Sequence, residues 1–286
     1  MTDSPPVTTE TATETPRAVS RIGPPLVLAS VLASTLGIVI AQFLDDLGDG
    51  MLAEFLGGDA VLFNNRVEFT GASDLAFGGG FVLCLLIGLF ALFVYPTQRG
   101  YGVSRLVLLW TLLHVLRQAL TQAVLLPFDA DSQLALAYGT FDAPPGLDFV
   151  IAAGGGVGLL LVALSAAAAF LAYTPHQRLV RNGRQRLLFA LWIALIPAVV
   201  SAFAAIPYFL PDSEGLVLAG LPLTAVMFLA TLAAAPGTTT VIGPDEERKT
   251  PWPWGLMVFM LVLLIFFLGV LQGGVSIDPR AWGTEQ

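Results

Sequence analysis

Charge, lysine, histidine and cysteine are all scarce in this chain. Asp, Glu, Lys and Arg make up 12% of its 286 residues, about half the usual share of a soluble domain. The one cysteine, Cys84, lies inside an apolar run. It rules out a disulfide within one chain and makes a cysteine-built metal centre untenable. Histidine occurs only at His114 and His176, and that scarcity argues against a two-histidine heme or a zinc cluster. Lysine occurs once, at Lys249, so there is no lysine-rich patch of the kind that binds nucleic acid. The Gly-rich loop that cradles phosphate in Walker-type sites is missing as well. None of these gaps is filled by a cofactor motif.

Hydrophobic residues account for 56% of the chain, and they come in long runs rather than at amphipathic spacing. Residues 1–23 are rich in Thr, Ser, Pro and Glu and predict a disordered cytoplasmic tail. Seven apolar runs follow, at about 24–43, 75–95, 105–126, 148–173, 187–209, 216–235 and 254–272. A bilayer leaves no partner for unpaired backbone groups, so runs of this length should be helices. The ten-residue alternation of a barrel is not seen. The expected fold is all-α: a polytopic transmembrane bundle of about seven helices spanning 24–272, closed by a short external tail at 273–286. Val39 and Ala41 fit the small-residue pattern of a signal cleavage site, but the long polar tail before them favours an uncleaved signal anchor.

Basic residues orient the bundle. With the N-terminus inside, ten of the thirteen fall on cytoplasmic segments: Arg17, Arg21, Arg99, Arg105, Arg178, Arg181, Arg184, Arg186, Arg248 and Lys249. Fifteen of the twenty-one acids fall outside. Tyr95, Tyr101, Trp110, Tyr173, Trp192, Trp252 and Trp254 lie near the cytoplasmic ends, as headgroup-level rings do. The C-terminus is then outside and the protein is expected in the cell membrane. The four arginines at 178, 181, 184 and 186 read as an orienting loop that meets anionic headgroups.

The composition is acidic, lysine-poor and rich in Ala, Val and Gly, with a net charge of −8. It resembles membrane proteins of halophilic archaea, a likeness of composition that implies solvated acidic loops and no particular activity. Asp45, Asp46 and Asp49 are read accordingly as part of a solvated loop at 44–74, since the spaced ligands of a calcium loop are lacking. Within that loop, residues 61–69 resemble a hairpin turning at Asn64-Asn65. Gly78-Gly79-Gly80 and Gly154-Gly155-Gly156 open two similar stretches, a faint repeat or a chance likeness, and predict close helix approach. Pro197, Pro207 and Pro222 predict kinks.

One intramembrane segment carries polar chemistry. Trp110, Thr111, His114, Arg117, Gln118, Thr121 and Gln122 fall within an arc of about 140° on the third helix. A charge near the middle of the bilayer costs about 2.5–3.5 kcal/mol on insertion scales, so this stripe must face the interior or a watery cavity. His114, Arg117, Gln118, Thr121 and Gln122 are the candidate site. No acid is placed deep in any helix, so Asp148 and Asp74, at the outer starts of two helices, are the expected charge partners of Arg117. The missing acids also argue against proton-coupled transport.

No catalytic motif is complete. His114-Val115-Leu116-Arg117-Gln118 occupies the frame of the zinc-protease motif H-E-x-x-H but lacks the Glu and the second His. An inactive relative of an intramembrane metalloprotease is a minor alternative. Serine and aspartyl intramembrane proteases are set aside for want of a nucleophile turn and of two membrane aspartates. The expectation is no enzyme, no cofactor and no metal. The chain is expected to be a membrane scaffold or complex subunit, with the lipid bilayer and a membrane-protein partner, or else a transporter or a membrane protein that binds a small molecule or anion, such as a small anionic ligand, on that stripe.

Overall fold

The structure is a computed structural model that describes residues 22–98, 100–209, 214–238 and 248–277. The expected disordered tail therefore lies almost wholly outside the described residues, as do positions 278–286 of the external tail. The chain is an all-α polytopic bundle. Its helices are α1 (Pro24–Phe55), α2 (Gly79–Val94), α3 (Val103–Leu125), α4 (Gln133–Gly139), α5 (Leu147–Leu171), α6 (Gly183–Ala190), α7 (Ile196–Phe209), α8 (Glu214–Ala234) and α9 (Trp254–Gly269). Six of the seven expected spans are long and apolar enough to cross a membrane; the described part of the remaining one, Pro222–Gly237, is apolar but shorter.

α3 is the axis, packed against α1, α2 and α5. Trp110 is fully buried at its centre, with Phe170, Phe228 and His114 around it at ring separations of 4.9, 5.5 and 5.5 Å. Trp110 is thus a core residue and not part of the interfacial belt, whereas Trp192, Trp252 and Trp254 are exposed. The outward faces of α2, α5 and α9 are lined by exposed Leu, Val, Ile and Phe. Such continuous apolar surface is tolerable in lipid and not in water.

α1 departs from expectation. It does not stop where its apolar run ends but continues for three more turns to Phe55. A small antiparallel sheet, β2–β1–β3, caps that end, built from β1 (Asp59–Leu62), β2 (Val67–Thr70) and β3 (Val275–Ser276). Leu62 pairs with Val67, and the Phe63 N–H reaches the Arg66 carbonyl at 2.8 Å, so the hairpin turns at Asn64-Asn65 as its sequence suggests. β3 begins within the segment expected to be tail, and its pairing with β1 brings the end of α9 back beside α1.

The opposite end carries the arginines. The Arg105 guanidinium lies over both the Tyr95 and Tyr101 rings at 4.7 Å, and Arg248 over Tyr101 at 4.9 Å. Burial pushes the Tyr173 phenol above its ordinary range. Arg178, Arg181 and Arg184 are exposed. Arg186 is different: its guanidinium donates to the Val180, Pro236 and Thr238 carbonyls and ties α6 to the end of α8.

α6 and α7 form one rod, joined by a π turn at Leu191–Leu195. The rod starts at a capping box in which Asn182 and Gln185 bond each other's backbone. Pro197 has no N–H to give to the Ile193 carbonyl four residues back. The Ser30 hydroxyl of α1 supplies the missing bond at 2.6 Å. Pro222 stands inside α8, and the side chain of Pro207 lies outside the described residues.

Candidate functional site: a buried polar seam between α1 and α3

The stripe on α3 faces inward, against α1. Its inner part is a hydrogen-bonded chain. The Trp110 indole donates to Ser30 Oγ at 2.8 Å, which passes the bond on to Ile193. One turn along, His114 Nε2 meets Ser34 Oγ at 3.0 Å, and Ser34 Oγ meets Ser201 Oγ of α7 at 2.6 Å. Ser201 donates to the Ala198 carbonyl. All five side chains are buried. Gly37 sits where a β-carbon would meet the His114 ring and the Trp110 carbonyl at 2.9 Å, so the contact depends on its missing side chain.

The outer part is ionic. Asp45 of α1 accepts from Gln122 Nε2 at 2.8 and 3.0 Å and from Gln118 Nε2 at 2.9 Å. The Gln118 Oε1 accepts from Arg117 at 3.2 Å, and the other arm of Arg117 donates to Thr224 Oγ1 of α8 at 2.8 Å. Gln118 therefore bridges the guanidinium and the carboxylate. Asp49 Oδ1 accepts the Gly80 N–H at 2.6 Å, and Asp46 Oδ1 accepts from Gln42 at 3.1 Å. Asp45, Asp46 and Asp49 are 1%, 3% and 0% exposed.

These facts correct two expectations. The three aspartates are not in a solvated loop: they ride on α1 and point into the bundle. The acid beside Arg117 is Asp45, not Asp148 or Asp74. Asp74 is exposed in the turn before α2, and Asp148 is half-buried in the first turn of α5. The premise that the bundle holds no deep acid falls with them. The signal was present in the spacing. Positions 45 and 49 are one helical turn apart and share a face if the helix runs on.

Glycine makes the approach of α2 possible. A β-carbon on Gly79 would collide with the Gly48 carbonyl, and one on Gly80 with the Asp45 side chain and backbone. The second glycine triplet works differently. Gly155 packs on α3, while Gly154 and Gly156 face open space. The two triplets are thus alike in sequence and unlike in packing.

Thr121, the remaining stripe residue, is buried with its hydroxyl unpartnered, as is Gln122 Oε1. His176, apart from the seam, accepts the Arg178 N–H and caps a short turn. Among the described residues no group of three or more His, Cys, Asp or Glu converges on one point as a metal-ligand set. Comparison with protein-family models, with curated proteins and with solved structures finds no match. The fold and the seam define a membrane-embedded helical protein.

Proposed function

We propose that this chain is a non-enzymatic multi-pass protein of the cell membrane, N-terminus inside and C-terminus outside, that serves as a scaffold or subunit of a membrane complex. The observation that carries this reading is the closure of the seam. His114, Arg117, Gln118 and Gln122 bond to α1, to α8 or to each other rather than line an open passage. A helix-locking network of this kind fixes the arrangement of α1, α3, α7 and α8 and leaves the outer faces of α2, α5 and α9 for lipid or a partner.

An anionic ligand on the stripe is disfavoured. Arg117 is committed to Thr224 and Gln118, and the Asp45 carboxylate on the far side of Gln118 opposes an incoming anion. The lack of acids no longer speaks against transport, but the closed seam does. The composition fits a host that lives in concentrated salt.

The test is proximity cross-linking in native membranes with mass spectrometry, run beside uptake assays in proteoliposomes. A membrane protein cross-linked at stoichiometric yield, with no solute uptake above empty vesicles, is the expected result. Saturable uptake that is lost in Arg117→Leu, while the variant still folds, would overturn the reading.

A further inference from the structure

The outer part of the seam has more oxygen acceptors than donors. Asp46 Oδ2, Asp49 Oδ2 and Gln122 Oε1 are buried without a partner, and so is the Thr121 hydroxyl. The Gln122 amide is held against Asp45 through its nitrogen, and the oxygen on the same amide carbon is left without a partner. Gly80 is wedged between Asp45, which its β-position would strike, and Asp49, which takes its N–H. Both carboxylates therefore flank one glycine on the α1–α2–α3 boundary. Three acids repel one another here, and Arg117 is the cation set against Asp45. Buried charge without compensation is costly, and an unpartnered buried acceptor calls for a water or an ion.

We infer that this cluster of buried oxygens binds a monovalent metal cation, with sodium as its simplest occupant, held by the carboxylates of Asp45 and Asp49 and by Gln122 Oε1. Hard cations take carboxylate, amide and hydroxyl oxygens, and all the spare acceptors here are of that kind. Among the described residues the acids do not converge as a chelating trio, which disfavours a divalent ion. The cation adds to the helix lock by joining α1 to α3 beside the glycine seam of α2. This inference stands apart from the scaffold reading: a cation site could serve a scaffold or a carrier.

The experiment uses the full chain purified in detergent. Thermal unfolding is followed as sodium chloride replaces choline chloride at constant ionic strength and pH, and radioactive sodium binding is measured on the same sample. A saturable rise of several degrees and about one bound sodium per chain are expected, both abolished in Asp49→Asn, which keeps an acceptor for Gly80. Equal stability in the two salts with no bound sodium would mean that ordered water fills the site, and overturns the inference. A stability that follows pH but not sodium would assign the neutralising role to protons and overturns it too. If Asp49→Asn does not fold, the wild-type sodium isotherm decides alone.

Discussion

Ser30 is one hydroxyl with two partners, the Trp110 indole and the carbonyl that Pro197 leaves without a donor. Ser30→Ala strips both at once, and each orphaned buried group costs about 1–3 kcal/mol. Denaturant unfolding in detergent should show that loss. In a Pro197→Ala background the Ile193 carbonyl regains a backbone donor, so the same Ser30→Ala change should cost measurably less. A double-mutant cycle reads the difference as coupling; strict additivity would show that Ser30 does not replace the proline's missing bond. Glycine supplies a second contrast. Gly80→Ala drives a methyl into Asp45 and should destabilise by about 1–3 kcal/mol or more. Gly156→Ala enters open space and should change stability by less than about 1 kcal/mol, in the favourable direction. Equal effects at the two positions would contradict the packing described for α2.

At the scale of elements, α1 and α3 hold each other through Asp45. Asp45→Ala removes the acceptor of both the Gln118 and the Gln122 amides, and each buried donor left without a partner costs about 1–3 kcal/mol. Asp45→Asn keeps an acceptor oxygen and should fall between wild type and Asp45→Ala in midpoint denaturant concentration. If the Ala and Asn variants unfold together at the wild-type midpoint, the outer seam contributes nothing to stability. The same pair of helices marks how far the sequence could be read. Helix positions, the stripe on α3 and its inward direction follow from apolar runs and the 100° rotation per residue. Helix length beyond the membrane does not. The apolar run of α1 ends near residue 43, and a carboxylate cluster after it has the composition of a surface loop. Only tertiary partners, the Gly79-Gly80 approach and the amides of Gln118 and Gln122, turn that cluster inward. Gln118 and Gln122 were visible as half of a network; their acid was hidden seventy-odd residues upstream.

For the whole molecule, the alignment of ends ties the helices to one topology. Phe43 of α1 meets Phe267 of α9 edge-on at 5.6 Å, and β3 pairs with β1, so α9 runs parallel to α1 with its C-terminal end at the sheet. The aromatic–arginine cluster of Tyr95, Tyr101, Arg105 and Arg248 gathers the ends of α2 and α3 and the approach to α9 on the other side. In the proposed reading the sheet end and the arginine end face opposite compartments, with the arginine end in the cytoplasm by the positive-inside rule. The lone cysteine makes this directly measurable. Cys84 is buried, so wild-type protein in intact cells should resist a membrane-impermeant maleimide. Thr70 and Arg181 are exposed at the two ends. Thr70→Cys should label in intact cells, and Arg181→Cys only after permeabilisation. The reverse pattern would invert the orientation while keeping the bundle, and it would move the acid cluster of α1 to the cytoplasmic half. Labelling of both variants in intact cells would break the opposition of the two ends on which the whole topology depends.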